Sequence, residues 1–111
     1  IVSASSVTPN PEWRLLQNGE PRTVRLQARM TTSTNDSAVA AVVGGFGITR
    51  LLSYQVADHL RHGQLKTVLS EYEAAPLPVH VVHREGRQAP QRVRAFIDLA
   101  VERLRREAAL Q

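Results

Sequence analysis

Two short stretches near the start of the chain alternate between apolar and polar residues. In residues 23–27, Val24 and Leu26 are separated by polar side chains, a pattern typical of a half-buried strand. Residues 13–17 have a similar character, and Asn18-Gly19 between the two stretches predicts a tight β-hairpin. Residues 1–11 predict a short strand followed by a proline-rich turn at residues 8–11.

From residue 34 onward the pattern becomes helical. Residues 34–37 are all capping types, an apolar run follows at 38–43, and Gly44-Gly45 ends it. This predicts a helix of about ten residues, capped at Asn35 or a neighbour. Its nearly uniform apolarity predicts burial on more than one side. A second helix is predicted from a Ser53 cap to Arg61.

The longest amphipathic pattern closes the chain. Residues 91–109 predict a helix after Pro90, with Phe96 on the apolar side and therefore expected in the core. Short strands are expected between and before the helices, at residues 30–34, 48–52, 65–69 and 79–83. This alternation predicts an α/β fold with a mixed sheet flanked by helices.

Composition narrows the class of protein. The 111 residues are 42% hydrophobic and 22% charged, as in an ordinary globular domain or part of one. The absence of cysteine excludes disulfides and thiolate sites, and no apolar run is long enough to span a bilayer. We expect no membrane partner and a cytoplasmic location. Because the chain begins at Ile1 without a signal-peptide pattern, we interpret it as an internal fragment.

The net charge of +4 raises the hypothesis of nucleic-acid binding, but the scattered arginines and few aromatic residues favour an ordinary basic domain. His59 and His62 are a possible metal pair without a third ligand nearby, and a surface role is preferred. His80 and His83 would point to opposite faces of a strand. We expect no metal, no cofactor and no catalytic residue.

One local feature suits a ligand. A capped helix start at residues 34–37 offers backbone N–H groups and a positive dipole end that can bind a carboxylate or phosphate. Asp36 would partly oppose an anion, and plain helix capping is the alternative. The glycines at residues 44–47 follow a helix instead of starting one, so they do not form a phosphate loop.

Three segments in register carry a family resemblance. Residues 35–52 resemble the N-D-x-x-A-x-x-x-A-x-x-G-x-G-I-x-x-L-P segment of LysR-type regulators, apart from Ser53, where the family usually has proline. Residues 56–69 resemble V-A-x-x-L-x-x-G-x-L-x-x-V-L, and residues 78–84 with 93–99 resemble the closing strand and the V-R-A-F-I-D-F helix. The match covers about residues 12 to 106.

The resemblance implies part of a two-lobe fold like that of type II periplasmic binding proteins. Residues 1–75 would be most of the second lobe and 76–111 the return strand and C-terminal helix of the first, with the DNA-binding domain absent. The function implied is sensing of a small effector, such as an organic acid, amino acid or aromatic compound, by a homo-oligomer that binds DNA through its winged helix-turn-helix. The resemblance places six residues at the cleft: Thr34, Asn35, Asp36, Phe46, Gly47 and Ile48.

Three other functions stay open. A solute-binding protein for transport would share the two-lobe architecture. A small enzyme would need His80 or His83 with a serine, for which no motif is present. A charge-driven nucleic-acid module would show steeply salt-dependent binding.

Overall fold

The computed structural model describes residues 1–3, 12–84 and 86–110. The chain divides into two compact units, Ile1–Ala75 and Pro76–Gln111. The first contains strands β1 (Val2–Ser3), β2 (Glu12–Gln17), β3 (Glu20–Arg25) and β4 (Met30–Thr31), helices α1 (Asn35–Val43) and α2 (Ser53–Arg61), and the 3-10 turn Ser70–Tyr72. The second contains helix α3 (Gln91–Arg106) between the 3-10 turns Gly86–Gln88 and Ala108–Leu110. The fold is therefore mixed α/β.

The predicted hairpin is confirmed. Strands β2 and β3 pair antiparallel around Asn18-Gly19, whose φ angles of 52° and 78° are those of a two-residue primed turn. Because Gln17 and Glu20 flank the turn as a hydrogen-bonded pair, Pro21 occupies the next position, where its missing N–H would face away from β2. The turn and the proline together fix the register.

The other sheet is parallel and joins distant parts of the first unit. Val2 of β1 pairs with Met30 of β4, the Val2 amide donates to the Ile48 carbonyl at 2.8 Å, and the Arg29 amide donates to the Ile1 carbonyl at 3.0 Å. Residues 1–3 thus lie between β4 and Ile48. The Val2 side chain is only 2% exposed, so this short segment contributes a central part of the core.

Helix α1 begins and ends as the sequence predicts, but fewer of its sides are buried than the apolar pattern predicts. Thr34 is the N-cap, and Gly45, with φ of 88°, allows the chain to leave the helix. Within α1, Ala38 and Val39 are buried, whereas Val43 is exposed. The prediction of burial on several sides is wrong, because the residues packed around this helix cover one side of it.

Helix α2 is confirmed with a different cap. The N-cap is Leu52, whose amide donates to the Gln55 side chain at 3.0 Å, and Ser53 is the first helical residue. The helix ends at Arg61. The amide of the C-cap residue His62 donates to the Asp58 carbonyl, and Gly63 follows with φ of 70°. The prediction of a Ser53 cap is therefore wrong by one position.

Three predicted strands are not strands in the described part of the chain. Residues 48–52, 65–69 and 79–83 are extended or irregular, although the Ile48 carbonyl accepts the bond from Val2. A strand requires a neighbour to complete its hydrogen-bond ladder, and a local apolar run does not supply one. The proline-rich turn predicted at residues 8–11 lies outside the described residues.

Helix α3 is confirmed over most of its predicted length, but Phe96 is not in the core. Pro90 precedes the helix, and its carbonyl accepts from the Val93 amide at 2.9 Å. Phe96 is 68% exposed, so the prediction of a core position is wrong for this chain. The amphipathic pattern identifies a side that tends to be covered, but not whether these 111 residues cover it. None of the helices in the described residues is both long and apolar enough to cross a bilayer.

Candidate functional site

The start of α1 is held by a small network of hydroxyl and backbone groups. The Thr34 hydroxyl accepts from the Ser37 amide at 3.2 Å and lies 2.8 Å from the Ser37 hydroxyl. The Thr34 carbonyl accepts from the Ala38 amide at 3.3 Å and from the Thr32 hydroxyl at 3.0 Å. Since Thr32 is buried, this network anchors the cap to the interior. The segment before the helix therefore has a defined position.

Two backbone amides at this helix start have no partner within the helix. The first residues of an α-helix lack acceptors one turn earlier, and the Thr34 hydroxyl serves only the Ser37 amide. The Asn35 and Asp36 amides are the ones that a ligand oxygen can use, and the helix dipole favours negative charge there. The Asp36 carboxylate in the same turn opposes that charge. The combination suits a ligand that carries hydrogen-bond donors as well as acceptors.

The second group of predicted site residues lies at the other end of α1. The Phe46 amide donates to the Ala41 carbonyl at 3.0 Å, which fixes Phe46 against the last turn of the helix. Phe46 is 64% exposed, and Ile48 is also exposed. Gly47 has φ of 129°, a conformation that strongly favours glycine. This end presents an apolar surface next to β1.

The structure brings the predicted residues together as two groups but does not join the groups. Residues 34–36 begin α1, and residues 46–48 follow its last turn. The nine residues of the helix separate them by about 13 Å along its axis. Assignment of the six residues to one effector cleft stays a prediction.

Sequence reasoning missed two polar residues close to these groups. Thr32 is buried beneath the α1 cap, and the Thr49 hydroxyl oxygen is enclosed without a hydrogen-bond partner among the described residues. An enclosed hydroxyl without a partner is uncommon and costs free energy. The available signal was a threonine within a strand-like run, since Thr49 stands in the run 48–52 and Thr32 in the run 30–34.

The four histidines do not assemble into a centre in the described structure. The His59 Nδ1 atom lies 2.6 Å from the Gln64 side-chain oxygen, and the His62 Nδ1 atom lies 2.7 Å from the Asp58 carbonyl. These are local contacts around the end of α2. Among the described residues, no three histidine, aspartate or glutamate side chains are grouped as a metal site would require.

Comparison with known proteins identifies the class. Residues 3–105 match the model of the LysR substrate binding domain. The chain is 31% identical over 90 residues to the HTH-type transcriptional repressor PA14_22550 of Pseudomonas aeruginosa, a match that covers 81% of this chain and 28% of that protein. It is 28% identical over 95 residues to the HTH-type transcriptional regulator PtxR of the same species, covering 86% of this chain and 30% of that protein. No solved structure gives a significant match.

The chain belongs to the LysR substrate-binding domain family, because the family model covers nearly all of it. The resemblance predicted from the three motif segments is confirmed. Both relatives carry names of transcriptional regulators, one of them a repressor. The chain spans less than a third of the length of the curated relatives that it matches.

Proposed function

We propose that this chain is the effector-sensing portion of a LysR-type transcription regulator. It binds a small molecule in a cleft between two lobes and controls transcription through a winged helix-turn-helix located elsewhere in the regulator. The family match over residues 3–105 carries this proposal. Both relatives are described as transcriptional regulators, which favours regulation over the transport alternative.

Within this proposal, residues 1–75 form most of the second lobe and residues 76–111 return to the first. The division of the chain into compact units between Ala75 and Pro76 supports this boundary. The regulator acts in the cytoplasm as a homo-oligomer, and effector binding changes the relative populations of its arrangements. Such a shift requires the effector to bind the arrangements with unequal affinity.

The effector contacts the two ends of α1. At the first end, the amides of Asn35 and Asp36 bind a carboxylate or other acceptor group of the ligand, and Thr34 holds the loop in place. At the second end, Phe46 and Ile48 supply apolar surface. Because the two ends lie about 13 Å apart along the helix axis, an effector that contacts both is longer than an amino acid and combines an acceptor group with an extended apolar part.

The experiment measures effector affinity by calorimetry in the complete regulator, after a thermal-shift screen of organic acids, amino acids and aromatic acids. Asp36→Asn should raise the affinity for an anionic effector about two- to fivefold, because removing the carboxylate unmasks the helix dipole, worth about 0.5–1 kcal/mol. Glu20→Gln is the matched control, since Glu20 is an exposed acid at the β3 start and should leave the affinity unchanged. Equal affinities for Asp36→Asn and wild type would place the ligand away from this helix start.

A further inference from the structure

The tip of the β2–β3 hairpin places an asparagine directly before a glycine, and both residues are exposed to solvent. Asn18 and Gly19 are the two central residues of the turn, and a Cβ atom added at Gly19 would meet no atom within 4 Å. The chain contains three asparagines, Asn10, Asn18 and Asn35, and Asn18 alone precedes a glycine. The open surroundings leave both the Asn18 side chain and the next backbone amide accessible to water.

The Gly19 amide is not used by the hairpin. In a two-residue turn the closing hydrogen bonds join the residues on either side of it, here Gln17 and Glu20. Within the part of the chain that the structure describes, no backbone carbonyl accepts a hydrogen bond from the Gly19 amide. An amide bonded only to water loses its proton to hydroxide more readily than an amide held in a hydrogen-bond ladder.

We propose that Asn18 is a site of spontaneous deamidation, with the Gly19 nitrogen as nucleophile and water as co-reactant. The deprotonated nitrogen attacks the Asn18 Cγ atom, an N–Cγ bond forms, and the bond from Cγ to Nδ2 breaks as ammonia leaves with a proton from water. Water then opens the resulting succinimide ring. Opening at Cγ gives aspartate, and opening at the backbone carbonyl gives isoaspartate. One water is consumed and one ammonia is released, without oxidation or reduction.

The residue after each asparagine decides which of them reacts. Gly19 has no Cβ to obstruct the attack and allows the backbone torsions that ring closure needs. The turn must open for the attack, and the tip of a two-stranded hairpin opens locally at little cost. Asn10 precedes Pro11, which has no N–H, and Asn35 lies in helix α1, where the regular backbone holds the next nitrogen away from Cγ.

The two products affect the hairpin differently. Aspartate leaves the main chain intact, and Asp-Gly suits the same primed turn as Asn-Gly. Isoaspartate adds a methylene group to the main chain between positions 18 and 19, so it lengthens the turn that pairs Gln17 with Glu20. Either product lowers the net charge by one from +4. Isoaspartate is therefore the product that destabilises the first unit.

The test incubates the purified 111-residue chain for several weeks at physiological temperature, followed by tryptic digestion and mass spectrometry. Trypsin separates residues 15–22 from residues 30–50, so Asn18 and Asn35 are measured in the same sample. The peptide 15–22 should gain the mass difference between OH and NH2, and the peptide 30–50 should not. Conversion should be about tenfold faster at pH 8 than at pH 7, because hydroxide removes the amide proton.

Melting temperatures separate the effect of charge from that of the main chain. Asn18→Asp is the matched control, because it carries the charge of the product on an intact main chain and should melt within about 2 °C of the wild type. The isoaspartyl fraction, quantified by an isoaspartyl methyltransferase, should melt at least about 4 °C lower than this variant.

Three results would overturn the proposal. Asn18 could stay intact under conditions in which a synthetic peptide of residues 13–23 deamidates, which would show that the folded turn protects it. Equal conversion of Asn18 and Asn35 would show that the hairpin tip is not selected. An isoaspartyl chain that melts together with the Asn18→Asp variant would refute the effect on the hairpin. The site depends on the hairpin and not on the proposed function, which stands under each of these results.

Discussion

The insertion of residues 1–3 between β4 and Ile48 leads to a sharp prediction about Val2. Its side chain is 2% exposed. Truncation to alanine leaves the hydrogen bond from the Val2 amide to the Ile48 carbonyl unchanged. Val2→Ala removes two carbon groups at about 0.8 kcal/mol each and leaves a small cavity, so we expect a loss of about 2 kcal/mol in the free energy of unfolding. For the 75-residue first unit this corresponds to a fall of roughly 8–16 °C in melting temperature.

The assay is urea unfolding of the 111-residue chain, followed by the fluorescence of Trp13. Trp13 is the sole tryptophan of the sequence and lies in β2 of the same unit, so its signal reports the unit that contains Val2. The matched control is Val68→Ala in the same unit, because Val68 is 44% exposed and its truncation should cost less than about 1 kcal/mol. If Val2→Ala costs no more than Val68→Ala, residues 1–3 do not dock in the core and the reasoning is refuted.

Three further predictions concern the caps, the turn and the last helix, each measured by urea unfolding of the 111-residue chain. Thr34→Ala should cost about 1 kcal/mol through loss of the bond from the Ser37 amide, while Thr34→Ser should retain most of it; equal losses would contradict a capping role. Gly19→Ala should cost about 1–2 kcal/mol, because an alanine at φ of 78° is strained. Gly44→Ala, at φ of −73°, should cost less, and the reverse order of the two losses would refute the turn assignment. Phe96→Ala should cost under about 1 kcal/mol, well below the roughly 3–5 kcal/mol of a buried phenylalanine, and a loss above about 2 kcal/mol would show that the ring is covered.

Several elements of the fold are determined by residues that are close together in the sequence. The hairpin follows from Asn18-Gly19, because the two positive φ angles of a primed turn are accessible to these residues. Helix α1 follows from the Thr34 cap and Gly45, and the start of α3 follows from Pro90. In each case the decisive hydrogen bonds join residues a few positions apart. The family itself was visible as well, since three motif segments in register identified it.

Neighbouring residues in the sequence determine only part of the candidate site. The cap at Thr34 and the turn at Phe46 each follow from neighbouring residues, but their separation by the length of α1 does not. The buried threonines Thr32 and Thr49 were also missed, because a threonine in a strand-like run resembles any β-favouring residue until its surroundings are known.

The sequence by itself determined the helices, the hairpin and the family, because i to i+4 hydrogen bonds, caps and turn torsions depend on adjacent residues. The tertiary structure alone decided that Val2 pairs with Met30 and Ile48, that residues 79–83 form no ladder, and that Phe96 is exposed. Strand pairing and burial depend on partners distant in sequence, and an amphipathic pattern specifies that a surface is apolar without specifying what covers it.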